Sequence, residues 1–419
     1  MSVTADTETT SAAGRLAGET PPRSSAVLRL LADGVSRLHA EGRYRHFFPT
    51  AHSAANPGRT GRDQVEVWCS NDYLGLSRHP ELIRAQVDST VRHGTGMGGS
   101  RNIGGTSTTH VALEERLARW HGKERALIFS SGYTANFETL SVLLAAVPDI
   151  VVFSDAANHR SLIEGIRRSG RERHVFAHND VDALETALRA CPPDAPKLIV
   201  FESVYSMDAD TSPLREICDL ADRYDALTYL DETHAIGVKG PTGAGITEEI
   251  GEHRPTFIQG VFGKALGTVG GYVAGPDAAL DYVRSHSPGF IFTTSLPQSA
   301  MDATAAGLDL VQAGKDLRRA VAARSRQLKD ELRRRRIAFV DGEDHIIPVL
   351  VPGNEAVRGV ADRLLVDHRI YVQPINFPSV EAGAERLRVT VAPYRTEEDV
   401  TRFATALDES LALEEVRRV

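Results

Sequence analysis

A chain of 419 residues, 42% hydrophobic and 25% charged, can bury a large core and form more than one lobe. Its formal net charge is −8 and no Lys/Arg cluster is interleaved with aromatics, which excludes nucleic acid and an anionic membrane as favoured partners. Three scattered cysteines, Cys69, Cys191 and Cys218, with no C-x-x-C, exclude a disulfide framework and a structural zinc site, and fit a reducing cytoplasm.

In chain order, residues 1–24 are rich in Ser, Thr, Ala and Gly and carry Asp6, Glu8 and Glu19 without an apolar core. That pattern predicts a disordered tail rather than a signal peptide, transit peptide or membrane span. An N-terminal segment follows over 25–74. Within it, Val27, Leu28, Leu31, Val35 and Leu38 have helical spacing over 26–39, and 41–48 read E-G-R-Y-R-H-F-F. Residues 80–93 read as a helix. Apolar runs at 126–129, 150–153, 197–201, 226–230, 257–261 and 272–274 then predict buried strands with helices between them, an α/β large domain over 75–300 with a mostly parallel sheet. Past Leu296, an Arg-rich helical region reaches Arg336, and short strands are predicted at 345–351 and 386–391. These form a smaller α+β C-terminal domain over 301–419.

Candidate chemistry centres on Lys264, one of six lysines, which stands in Gly263-Lys264-Ala265 after an apolar run. An amine among small residues at a strand end can form an imine with an aldehyde cofactor. Asp231 and His234, three apart after another apolar run, supply what a pyridoxal phosphate (PLP) ring needs: a carboxylate for the pyridine nitrogen and a polar group for the phenolic oxygen. The competing reading of Asp231 is a helix cap. Ser130-Ser131-Gly132-Tyr133 joins a strand to a helix, where free backbone N–H groups and the helix dipole favour a phosphate. His159, just past a strand, can stack on the ring or be a loop histidine without a role.

Other patterns carry less. Residues 94–99 match G-x-G-x-x-G but follow a helix rather than a strand, which excludes the dinucleotide reading. His174 and His178, four apart in an alternating segment, would share one sheet face without a third metal ligand, so they read as structural and no metal is expected. Cys191-Pro192 reads as a helix end rather than a regulatory haem motif.

Together the motifs resemble the α-oxoamine synthases, PLP-dependent transferases of fold type I (aspartate-aminotransferase-like), from about Leu28 to the C-terminal helix. The strings that carry the resemblance are E-G-R-Y-R (41–45), W-C-S-N-D-Y-L-G (68–75), G-G-S-R-N-I (98–103), N-H-R-S-L-I-E-G-I-R-R-S-G (158–170), F-E-S-V-Y-S-M-D (201–208), P-G-F-I-F-T-T-S-L-P (288–297) and Y-V-Q-P-I-N-F-P (371–378). The first and last separate members using succinyl-CoA from relatives using other acyl groups. The resemblance implies PLP-dependent decarboxylative condensation of glycine with succinyl-CoA by a cytoplasmic homodimer with its active site at the subunit interface. The product would feed tetrapyrroles such as haem, or a specialised metabolite such as an aminocyclopentenone unit. The alternatives are a sister enzyme with another acyl-CoA and a non-catalytic relative.

The resemblance also implies residue roles. Lys264 binds the cofactor aldehyde and acts as the base, Asp231 pairs with the pyridinium, His234 and Ser206 contact the phenolic oxygen, and His159 stacks on the ring. Ser131, Gly132 and Tyr133 hold the phosphate with Thr293 and Thr294 of the neighbouring subunit. Arg388 grips the glycine carboxylate with Asn71, and Tyr73 stands close by. Arg45, Ser100, Asn102, Ile103 and Ser379 receive the succinyl end. Three positions depart from the family pattern: Val261 replaces a threonine near the phosphate, and Ser100 and Ser379 replace threonines of the acyl pocket, which loosens acyl selectivity.

Overall fold

The computed structural model describes residues 25–45, 47–49, 59–60, 65–342 and 345–414; the predicted tail over 1–24 lies outside them. The chain divides into two units, Met1–Phe48 and Pro49–Val419. The first contains helix α1 (Ser25–Ala40), where the apolar spacing predicts it, with no buried residue. Arg45 follows α1 and is exposed.

The second unit opens with β1 (Arg59–Thr60), β2 (Val65–Val67), α2 (Pro80–His93) and α3 (Thr108–Trp120). Proline at the start of α2 supplies a helical φ and needs no hydrogen-bond acceptor. Ser107 and His110 cap α3 reciprocally. Strands and helices then alternate: β3 (Arg125–Phe129), α4 (Gly132–Ala146), β4 (Val151–Asp155), α5 (Arg160–Ser169), β5 (Arg173–Phe176), α6 (Val181–Ala190), β6 (Lys197–Glu202), α7 (Leu214–Arg223), β7 (Ala226–Asp231), α8 (Ile246–Ile250), β8 (Phe257–Val261) and β9 (Gly271–Gly275).

These strands form one seven-stranded sheet in the order β3-β9-β8-β7-β6-β4-β5, in which β9 runs against the others. Every residue of β4 and β6 is buried, as expected of parallel strands covered by helices on both faces, and this is why they read as near-continuous apolar runs. Register brings three side chains into line at one edge, because Glu202 of β6 pairs with Asp231 of β7, which pairs with Gln259 of β8. Carboxylates there sit at the carboxyl ends of parallel strands, where open α/β sheets bind ligands.

Two local expectations change. His174 lies in β5 with its ring stacked on Phe153, but His178 falls beyond the strand, so the two do not share a sheet face. The helical region over 296–336 is two helices, α11 (Gln298–Ala313) and α12 (Lys315–Arg334), interrupted at Gly314. Between β9 and α11 stand α9 (Asp277–His286) and α10 (Pro288–Ile291).

The remaining elements are β10 (Ile346–Leu350), α13 (Asn354–His368), β11 (Ile370–Tyr371), β12 (Gln373–Ile375), β13 (Arg386–Thr390) and α14 (Glu397–Leu413). Antiparallel β10, β13 and β12 form one small sheet, and β11 joins β2 and β1 in another. Trp68, just past β2, is fully buried, stacked on Phe403 of α14 at 4.3 Å, with the Arg395 guanidinium 4.4 Å from its ring. This anchor holds the loop carrying Asn71 and Tyr73 next to β13.

Candidate active site

Asp231 ends β7 and is 4% exposed. Its Oδ2 accepts a hydrogen bond from Asn136 Nδ2 at 2.8 Å, and its Oδ1 accepts the Thr233 backbone N–H at 2.8 Å. Both donors are neutral. A buried carboxylate that accepts from only two neutral donors has lone pairs left for a cationic partner. Asp231 is a strand-end acid followed by turns, with no helix before Ile246, so the helix-cap reading does not hold.

Lys264 lies in the turn after β8, closed by a 2.9 Å bond from the Gly267 N–H to the Lys264 carbonyl. Gly267 has φ +73°, and a Cβ there would lie 2.4 Å from the Ser77 backbone nitrogen, so the turn requires glycine. The Lys264 Nζ is 3.2 Å from His234 Nε2. Burial lowers this amine to about 8; Asp231 opposes the shift and the Arg388 charge adds to it. Burial, with Lys264 and Arg388 nearby, also pushes His234 well below its ordinary value, so its imidazole is neutral. His234 Nδ1 stands 2.7 Å from the Tyr73 hydroxyl.

Arg388, in the middle of β13, is buried and donates to three neutral acceptors: the Ser206 carbonyl at 3.0 Å, Asn71 Oδ1 at 2.9 Å and the Tyr73 hydroxyl oxygen at 3.1 Å. Among the described residues no carboxylate pairs with it. Neighbouring arginines differ: Arg386 binds Asp208, and Arg395 binds Glu66. A buried guanidinium without an acid is costly unless an anion arrives, and its planar fork matches a carboxylate.

His159 precedes α5, with its Nδ1 2.7 Å from Ser161 Oγ and its backbone N–H donating to Glu202 Oε1 at 2.5 Å. Desolvation lowers its imidazole, with Asp231 opposing. Its ring stands edge-on to that of Tyr133, centroids 6.5 Å apart. Ser131 Oγ caps α4 by accepting the Thr134 N–H at 3.0 Å, leaving Gly132 and Tyr133 in the first turn. A Cβ on Gly132 would lie 2.2 Å from Val261 Cγ2, so the glycine permits close contact between the helix start and β8.

The structure thus joins Lys264, His234, Tyr73, Arg388, Asn71 and Ser206 in one hydrogen-bonded network, with Asp231 acting on the Lys264 charge and His159 and the start of α4 beside it. A second group forms elsewhere in the same chain. Ser100 pairs with Thr294 in an isolated bridge, the Ser295 N–H donates to the Gly99 carbonyl, and Ser100 Oγ donates to Asn102 Oδ1. Ile103 is 73% exposed and Phe292 is 83% exposed beside Thr293. Among the described residues no hydrogen bond ties this group to Lys264 or Arg388. Ser379 is exposed, its N–H donating to the Asn376 carbonyl.

Three contributors were not singled out from sequence. Asn136 holds Asp231. Glu202 receives the His159 N–H, and burial together with the Asp231 charge pushes its carboxyl well above the usual range. His345 is buried edge-on to Tyr73 at 4.1 Å, with no hydrogen-bond partner for either ring nitrogen among the described residues. Glu202 ends an apolar run as Asp231 does, a signal that could have marked it; a buried asparagine or histidine leaves none.

PLP fits this donor set: an amine held near 8, a buried strand-end carboxylate, a neutral imidazole and a capped helix start with a glycine cradle. Among the described residues no three His, Cys, Asp or Glu side chains gather as metal ligands would, and no helix is long and apolar enough to cross a membrane.

Comparison with known proteins agrees with this geometry. Residues 63–407 match the family model of aminotransferase class I and II. The 5-aminolevulinate synthase of Rhizobium meliloti (strain 1021) is 47% identical over 377 residues, covering 88% of this chain and 93% of the relative. The serine palmitoyltransferase of Sphingomonas wittichii superimposes with a TM-score of 0.86 at 27% identity, covering 94% of this chain and 100% of that one. A serine palmitoyltransferase structure with its PLP internal aldimine matches equally, at TM-score 0.86 and 27% identity over 94% of this chain and 99% of its own.

Proposed function

The chain belongs to the aminotransferase class I and II family and, within it, to the 5-aminolevulinate synthases, and from that premise we propose how its residues divide the work. The enzyme is PLP-dependent and condenses glycine with succinyl-CoA to give 5-aminolevulinate, coenzyme A and carbon dioxide. When bound, PLP supplies an electron sink for the pair released at the glycine α-carbon.

Arg388 binds the glycine carboxylate through its forked donors, with Asn71 and Tyr73 fixing the plane of the guanidinium. Lys264 holds and moves the α-proton; an amine poised near 8 is neutral often enough at working pH to act as a base. With PLP bound, Asp231 would pair with the ring nitrogen, and His234 and Ser206 would contact the phenolic oxygen. His159 would stack on the cofactor ring. Ser131, Gly132 and Tyr133 offer the start of α4 to the phosphate. Ser100, Asn102, Ile103 and Ser379 receive the succinyl group.

The working form is a cytoplasmic homodimer. The Ser100–Thr294 bridge within one chain supports Ser100 and Asn102 entering the neighbouring subunit's site together with the phosphate-binding Thr293 and Thr294. The catalytic lobe spans 75–300 and the smaller lobe 301–419, with 25–74 as the segment that leads into them.

The observation that carries the reading is the buried Arg388, bonded among the described residues only to neutral acceptors and linked through Tyr73 and His234 to a depressed lysine amine. The test incubates the purified protein with PLP, glycine and a panel of acyl-CoAs, and identifies the aminoketone by mass. Succinyl-CoA should be used well ahead of acetyl-CoA. Equal turnover of the two would make this a sister acyltransferase.

A further inference from the structure

His178 lies outside the chemistry described above, yet it makes two carboxylate contacts. Its Nδ1 is 2.8 Å from Asp155 Oδ1, and its Nε2 is 2.8 Å from Asp210 Oδ2. A neutral imidazole carries one N–H and can donate to one acid only. Donation to both requires the imidazolium. Burial works against that charge, but the two carboxylates outweigh it and push His178 up to about 10. Asn179 extends the link, its backbone N–H donating to Asp155 Oδ2 at 2.9 Å and its Nδ2 to Asp210 Oδ2 at 2.9 Å. The Tyr205 ring stands edge-on to the imidazole at 4.4 Å.

The two acids belong to different elements. Asp155 ends β4, four residues before His159. Asp210 lies on a hairpin-like loop over 203–212, whose base is fixed by the Ser212 N–H to the Ser203 carbonyl and by a bridge between Val204 and Thr211. The tip of this loop faces β13. Its Ser206 carbonyl accepts from Arg388 Nε, while the Met207 carbonyl and Asp208 Oδ1 accept from Arg386 Nη1. Ala209, at φ +56°, holds the tip in a left-handed conformation that a non-glycine residue adopts only under constraint.

We propose that His178 is a positioning residue for the amino-acid carboxylate: it links the end of β4 to the 203–212 loop, and so fixes the Ser206 carbonyl that orients Arg388. This rests on the reading that Arg388 binds glycine. Without the link, the loop keeps its base, the Asn179 bonds and the Arg386 contacts but loses the charged tie that holds Asp210 to the end of β4. Arg388 then keeps its charge but not its angle, and a bidentate carboxylate contact depends on angle. The acyl-CoA side has no such dependence.

The test compares holoenzymes carrying His178→Phe, His178→Gln and Asp210→Asn with the unaltered protein. Glycine affinity is read from the change in cofactor absorbance on titration, and KM is measured for both substrates. His178→Phe should raise the glycine Kd and KM roughly tenfold, the scale of one lost charge-assisted contact, with kcat and the succinyl-CoA KM within about threefold. His178→Gln, which still donates two N–H bonds, should recover part of the loss. Asp210→Asn leaves the His178–Asp155 contact in place; it should fold even if the phenylalanine variant does not, and should shift glycine affinity in the same direction.

Folded variants with a lower melting temperature but an unchanged glycine Kd would reduce His178 to a structural tie and overturn the inference. So would equal losses for both substrates. An unaltered protein whose spectrum ignores glycine would instead overturn the underlying functional reading, and this inference with it.

Discussion

Lys264 and Arg388 are both buried basic groups, and the pocket treats them differently. The guanidinium cannot lose its proton, so it waits for an anion. The amine can, and burial brings it to about 8 from an ordinary 10.5. In cofactor-free protein the folded state therefore holds this proton less tightly than the unfolded chain does. The charged lysine destabilises the fold fully below pH 8, and the penalty is relieved as pH rises from about 8 to 10.5. Denaturant titrations should find Lys264→Met more stable than the unaltered protein at pH 7, with the gap narrowing by pH 10. A gap independent of pH would contradict the depressed amine. At this scale, Asp231 and Lys264 were legible because a charge that closes an apolar run must be paired or functional. Glu202 obeys the same rule. Asn136 and His345 do not, since their roles arise from contacts between segments far apart in the chain.

The elements that hold these residues were legible where burial is two-sided. Strands β4, β6, β7 and β8 read as apolar runs because helices cover both faces of the sheet. Strands β2, β11 and β12, of two or three residues, carry no periodicity to read, and the break at Gly314 was masked by helix formers on either side. The start of α4 is the element whose local packing matters most to the cofactor. Gly132 touches Val261 so closely that Gly132→Ala must push β8 and the helix apart, a cost of about 1–3 kcal/mol for overpacking. PLP affinity, measured by equilibrium dialysis, should fall, while a Gly170→Ala control remote from the phosphate should leave it unchanged. Unchanged PLP affinity in Gly132→Ala would remove this helix start from the phosphate site.

For the whole molecule, the spatial division of the site residues is the decisive feature. One group surrounds Lys264 and Arg388; the other, around Ser100, Asn102 and Thr294, has its own contacts in the same chain. If two copies share each site, chains inactive through Lys264→Ala and chains inactive through Asn102→Ala/Ile103→Ala should rescue one another when mixed. Random pairing recovers roughly a quarter of the unaltered activity, because half the dimers are mixed and each has one intact site. No rescue would place both groups in one subunit's site. All of this depends on PLP being held by Lys264, which can be measured directly. Borohydride reduction of the PLP-loaded protein, followed by proteolysis and mass mapping, should leave the cofactor fixed to the Lys264 peptide alone. A label on Lys123, Lys197, Lys239, Lys315 or Lys329, or no label at all, would contradict the account.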